Sequence, residues 1–194
     1  LEPGTVTLGG WYHFGRFDSP RFDTSGGLLA SPSSSGVARR FRGNSGIYGM
    51  IDQTIYREPD DPNDGASVFV RMTGSPSDRN LLDLYIDAGI GYKGLFPGRS
   101  DDTIGVAFAI ERVSDRARAF DRDTLLFGGL PGRRRSSEAL LEVSYQAIIG
   151  PGVTVQPDFQ YVFRPSGGIV NPREVDGRRI RNAAVFGLRA TIRY

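Results

Sequence analysis

The feature that most constrains this chain is strict apolar/polar alternation sustained for about ten residues at a time. In 103–113, Ile104, Val106, Phe108 and Ile110 share one parity, and Gly105, Ala107, Ala109 and Glu111 the other. In 153–163, Val153, Val155, Phe159, Tyr161 and Phe163 oppose Thr154, Gln156, Asp158 and Gln160. Successive strand side chains point to opposite faces, so each stretch is a strand with one apolar and one polar face. The pattern recurs near 5–15, 45–57, 66–74, 82–92, 103–113, 138–149, 153–163 and 183–194, and no convincing helix interrupts it. Strands of globular sheets run nearer five or six residues. A strand that crosses a bilayer needs about 9–11.

The connections carry a second pattern. Long segments rich in Gly, Ser, Pro and charge (16–44, 114–137, 164–182) mostly alternate with short ones (58–65, 93–102, 150–152), and only 75–81 breaks the order. Two rims of unequal loop length are the mark of an outer-membrane barrel. Aromatics gather at strand ends on the apolar parity, as Tyr92, Phe163 and Tyr194 do, which fits girdles at the two membrane interfaces. The expected fold is therefore all-β, a transmembrane antiparallel up-and-down barrel.

Composition bounds the alternatives. A mean hydropathy of −0.29 would pass for a soluble protein, but barrel interiors are polar and dilute the average. With no cysteine, disulfides, thiolate metal sites and cysteine catalysis are excluded. A net charge of +2 is too small to argue for nucleic acid. The local basic run Arg133–Arg135 sits beside Gly and Pro and reads as a solvated loop. The chain opens on Leu1 with no basic and apolar leader, so any export signal is expected to have been removed or to lie outside it.

On the polar parity lie Arg71, Asp83, Tyr85, Asp87, Glu111, Glu142, Gln146, Asp158, Gln160, Arg189 and Arg193. Gly89, Gly91, Gly105, Ala107 and Ala109 share that face and fill little space. A closed eight-stranded barrel has an interior only wide enough for side chains, whereas 16–18 strands leave an aqueous channel. Small residues beside scattered charges suit a wet wall, so eight strands are expected to be half of a larger pore. Half a barrel cannot stand in lipid, because each unsatisfied backbone group at its edges costs several kcal/mol. A free-standing eight-stranded barrel of structural or adhesive role, and a soluble barrel for a small ligand, stay open on the pattern alone.

Several stretches resemble the carbohydrate-selective porin family (OprB type) of Gram-negative outer membranes: GNSGIYGMIDQTIYR (43–57), GSPSDRNLLDLYIDAGIGYKGLFPGRSDDTIGVAFA (74–109), YQAIIGPGVTVQPDFQYVFRPSGG (145–168) and RRIRNAAVFGLRATIRY (178–194). The resemblance implies the C-terminal part of a sixteen-stranded barrel across 1–194, with the long connections extracellular and the N-terminal half absent. It implies passive passage of glucose-like sugars through the outer membrane, with no cofactor and no catalysis. Outer-membrane lipid and lipopolysaccharide would be its surroundings. Its terminal aromatic, Tyr194, resembles the signal read by the outer-membrane assembly machinery.

Sugar selectivity needs donors and acceptors around a water-filled constriction. Arginine offers a planar fork of donors and carboxylates accept pairwise from vicinal hydroxyls, so the inward set named above supplies the sugar-contact candidates, with Tyr85 as an apolar sugar-facing surface. The same groups would also serve simply to wet the lumen or to pair across strands. His13 with Ser144 is the one pair reminiscent of a barrel phospholipase, but they come from distant strands with no joining signature, and no catalytic residue is assigned. EPDDPNDG (58–65) is acidic, yet Pro62 breaks the ligand series of a calcium loop. It reads as a turn, and no metal site is assigned.

Overall fold

The computed structural model describes residues 2–129, 134–171, 173 and 177–193. Eight strands form one sheet in chain order: β1 (Gly4–Asp23), β2 (Ala38–Arg57), β3 (Gly65–Gly74), β4 (Leu82–Lys93), β5 (Thr103–Val113), β6 (Ser137–Gly150), β7 (Val153–Phe163) and β8 (Ala183–Ile192). Every neighbouring pair is antiparallel. Among the described residues β1 pairs only with β2 and β8 only with β7, so the sheet has two open edges and does not close on itself. Tyr194 lies outside the described residues. No described helix is long and apolar enough to cross a membrane.

The antiparallel order puts connections 24–37, 75–81, 114–136 and 164–182 at one rim and 58–64, 94–102 and 151–152 at the other. The short rim is tied down ionically. Lys93 Nζ lies 2.8 Å from Asp64 Oδ1, and Tyr92 donates to Glu58 at 2.9 Å. Asp102 is buried and accepts from Arg99 Nε (2.6 Å), the Ile148 amide (2.8 Å) and the Tyr145 hydroxyl. Burial works to raise the Asp102 carboxyl, but the Tyr145, Ile148 and Arg99 donors outweigh it and hold it below its ordinary value.

Two elements depart from the sequence expectation. The segment 16–44 is mostly strand: β1 runs on to Asp23 and β2 begins at Ala38, leaving 24–37 as the loop. Ile47 already pairs with Gly74 at the top of β3, so 38–46 pair with β1 alone and form a two-stranded arm above the rim. Alternation fails there because the arm pairs on one side only and stands clear of the rest of the sheet, so neither of its faces needs to be apolar. The expectation of no helix is also wrong. α1 (Asp115–Gly128) occupies the β5–β6 connection, with Ser114 as its N-cap accepting from the Ala117 amide at 3.3 Å and Gly129 closing it at φ 61°. The charge of 114–137 suggests a solvated loop, whereas Arg116, Arg118 and Arg122 with Asp115, Asp121 and Asp123 lie on this helix.

The sheet has almost no core. The buried apolar residues, among those described, are Ala66, Val113 and Ala139 on the strands and Ala117 on α1. Its large apolar side chains are instead exposed on one face: Leu8 is 83% exposed, Phe186 80% and Leu188 74%. A soluble barrel would turn these inward, so a chain that leaves them out expects an apolar solvent. Tyr56, Ala66, Tyr92, Ile104 and Tyr145 follow one another in register on this face toward the short rim, an aromatic band.

Candidate pore wall

The other face is polar and concave. Thr5 on β1 and Glu142 and Ser144 on β6 line one trough of about 670 Å³ together with Asp52, Phe69, Arg71, Tyr85 and Asp87. A flat sheet would hold β1 and β6 five strand spacings apart, about 24 Å.

The centre of the trough is built by register. Arg71 and Asp87 are directly opposed on β3 and β4. Arg71 Nε donates to Asp87 Oδ1 at 3.1 Å and Oδ2 at 3.0 Å, and Nη2 makes a further bond to Oδ2. The Asp87 side chain is 6% exposed and that of Arg71 50%. The carboxylate therefore serves as an anchor, and the guanidinium presents its free side to the lumen. Behind it the Arg71 guanidinium carbon lies 5.0 Å from the centre of the Phe69 ring. Phe69 in turn lies over Gly89, where an added Cβ would come within 2.6 Å of Phe69 Cε1. A glycine is needed there because the ring occupies the space.

The remaining candidates are spread along the wall. Tyr85 is opposite Glu111 in register and Glu111 opposite Glu138. Glu142 accepts from Gln160 at 2.9 Å. Asp158 stands opposite Gly187, Gln146 opposite Thr103, and Arg189 opposite Gln156 near the open β8 edge. Arg193 follows β8, its amide donating to Gly152 O at 2.8 Å. Asp83 sits at a register irregularity between Leu82 and Leu84 and takes Arg112 at 2.8 Å with its side chain 5% exposed, so it is a strand tie rather than an open acceptor. Arg71, Tyr85, Asp87 and Glu142 are thus brought together, while the β7–β8 residues stand apart. Sequence reasoning missed Phe69 and Asp52. Their parity with Arg71 across the β2–β3 register was the available signal, masked for Phe69 by the habit of assigning aromatics to lipid.

His13 and Ser144 are not a pair: His13 Nδ1 accepts from the Gly15 amide at 2.9 Å, its ring packs on Phe17, and Ser144 lies across the sheet on β6. In the acidic turn, Asp61 caps the Asn63 amide at 3.0 Å and Asp64 holds Lys93.

Above the trough, α1 reaches from β5 back to β1. Four strand spacings are about 19 Å and a 14-residue helix about 21 Å long, so the helix spans that gap. It is held there by Arg21, which donates to Asp123 through Nε (2.7 Å) and Nη2 (3.2 Å). Arg116 stacks 5.0 Å from the Phe22 ring centre. At its other side Asp121 takes the Arg135 amide at 2.9 Å and its guanidinium at 2.6 Å. Asp123 is buried, so a charged tie rather than an apolar one fixes the helix across the mouth.

A curved single-layer sheet of this kind has known counterparts. Residues 1–194 match the family described as carbohydrate-selective porin, OprB family. The chain belongs to that family. It is 28% identical to Porin B of Pseudomonas aeruginosa over 197 residues, which cover 96% of this chain and 40% of that protein. The high-pH structure of Pseudomonas putida OprB superposes with a TM-score of 0.85 at 25% identity, covering 98% of this chain and 44% of that one. The low-pH structure of the same porin shares the fold at 19% identity, with a TM-score of 0.51. The chain therefore spans less than half the length of the porins it matches.

Proposed function

We propose that this chain is one part of the wall of a water-filled outer-membrane pore that passes carbohydrates down their gradient. The observation that carries this reading is the single-layer sheet itself, apolar and exposed outside, polar and concave inside, with two open edges. Those edges are compatible with lipid only if further strands pair with them, and the coverage of under half a porin chain supports a barrel of about twice this strand number. The order of the family stretches supports placing the segment in the C-terminal part, with the long-connection rim facing outside the cell. Within the wall, Arg71, anchored by Asp87 and backed by Phe69, offers sugar hydroxyls a fork of donors. Tyr85 and Glu142 add an apolar surface and an acceptor.

Liposome swelling in glucose tests this. The full-length protein should swell liposomes with glucose outside, and residues 1–194 alone should not. If the full-length protein gives no swelling while the segment alone forms a closed, heat-stable barrel, the pore reading fails.

A further inference from the structure

The polar face of β3 carries Ser67, Phe69, Arg71 and Thr73, and Phe69 is out of place there, a half-buried aromatic ring on a wall that meets water. The register gives the ring its room. Its row across the sheet runs Asp52, Phe69, Gly89, Ala107, and the two small residues leave space for it to lie along β4. A Cβ added at Gly89 would come within 2.6 Å of Phe69 Cε1 and 2.9 Å of Cζ, so the ring rests directly on the β4 backbone. Its other neighbour is the Arg71 guanidinium, whose carbon lies 5.0 Å from the ring centre.

That guanidinium has two places to go. Asp87 takes Nε and Nη2, which pins one edge of the group and leaves it able to swing about the carboxylate. Among the described residues none accepts from Nη1. Phe69 and Gly89 lie on the short-rim side of the Arg71–Asp87 pair, and Thr73 and Tyr85 on its long-rim side. On that second side Arg71 and Asp87 also line a hollow of about 250 Å³ with Tyr48, Met50, Thr73 and Tyr85. The Arg71 side chain is 50% exposed, and an ion pair whose cation stands half in water holds a long side chain only weakly. Its place is therefore set by what else touches it. A guanidinium is drawn to the face of an aromatic ring, and the Phe69 ring stands on the trough side.

We propose that Phe69 is a positioning residue for sugar passage: its ring, seated on Gly89, keeps Arg71 out of the hollow and turned into the trough with the Nη1 side outward. This rests on the pore reading above. Asp87 supplies the pivot, Phe69 the direction and Arg71 the hydrogen bonds to sugar hydroxyls. The phenyl ring acts through Arg71 and makes no sugar contact of its own.

The test is a double-mutant cycle on the full-length protein, read by glucose titration of single channels. Phe69→Leu keeps the bulk and removes the π face. It should weaken glucose half-saturation about threefold, the worth of a cation–π stack at a wet site, with open-channel conductance in salt unchanged. Phe69→Tyr should restore the wild-type value. In an Arg71→Ala background Phe69→Leu should change nothing further, because the partner it positions is gone. No effect of Phe69→Leu in the wild-type background overturns the proposal. So does an equal loss with and without Arg71, which would make the ring itself the sugar contact. If Phe69→Leu does not fold, Phe69→Met carries the same comparison. A second readout needs no sugar. In the 15N-labelled full-length protein in detergent, the Arg71 Nε–H signal is the one missing from Arg71→Ala. Phe69→Leu should remove the ring-current shielding of that signal and speed its exchange with water several-fold, and an unchanged signal overturns the proposal. A wild type that neither swells liposomes nor responds to glucose, yet shows this change, sinks the pore reading alone.

Discussion

At the residue scale, single side chains here set local order out of proportion to their size. Asp23 closes the arm: it is 1% exposed and accepts from the Ser25 amide (3.0 Å) and hydroxyl (2.7 Å), the Gly27 amide (2.8 Å), the Ser34 hydroxyl (2.8 Å) and the Ser35 amide (3.1 Å). The Ser25 and Ser34 hydroxyls, with those amides, hold its carboxyl far below the ordinary carboxylate range. A depressed folded value means the stabilisation is fully present above about pH 4 and is lost only as pH falls through that low folded value. Loop 24–37 should therefore resist pepsin at pH 3 in the wild type and be cut rapidly in Asp23→Ala; equal cleavage would show that the carboxylate does not order the loop. Arg71 makes a functional counterpart. Arg71→Ala should weaken sugar half-saturation in single-channel titrations about tenfold, the worth of one charge-assisted hydrogen bond. Asp87→Ala should leave the arginine present but unanchored, with a smaller loss.

At the element scale, α1 and the strands illustrate two kinds of legibility. The strands were readable because period-2 alternation over ten residues gives one apolar and one polar face, and six of the eight appear within a few residues of where the pattern puts them, while β1 and β2 run on into 16–44 beyond it. α1 was not readable as an apolar stripe because its contacts with β1 are an ion pair and a cation–π stack. Its only sequence signals were Ser114 before and Gly129 after a run of good helix formers. Asp123→Asn should leave the strands unchanged but reduce hydrogen-exchange protection across 115–128 about tenfold or more, since it removes a buried charged acceptor. Unchanged protection would mean that other contacts hold the helix. On β5 and β6, Phe108→Arg should cost up to about 2–4 kcal/mol in an unfolding titration in lipid, and Ser144→Arg far less, because one points to hydrocarbon and the other to water. Equal costs on both parities would overturn the assignment of faces.

At the scale of the whole molecule, what matters is how the sheet ends. Alternation, loop asymmetry and the small residues Gly89, Gly91, Gly105, Ala107 and Ala109 were enough to expect a wet-walled barrel larger than eight strands, because each is a property of chain-local spacing and side-chain volume. Three things were decided only by tertiary structure. Register placed Asp87 against Arg71 and Arg42 against Arg16, and pairing across strands is not encoded in either strand alone. The irregularity at Leu82–Leu84 turned Asp83 from a wall residue into a partner of Arg112. Curvature brought α1 to β1 across the mouth, joining Arg21 and Asp123 from distant parts of the chain. The sequence by itself determined which face of each strand is apolar and which polar, since transfer energy follows side-chain type. The structure determined which charges meet, since ionic contacts depend on distances that only the curved, paired sheet sets.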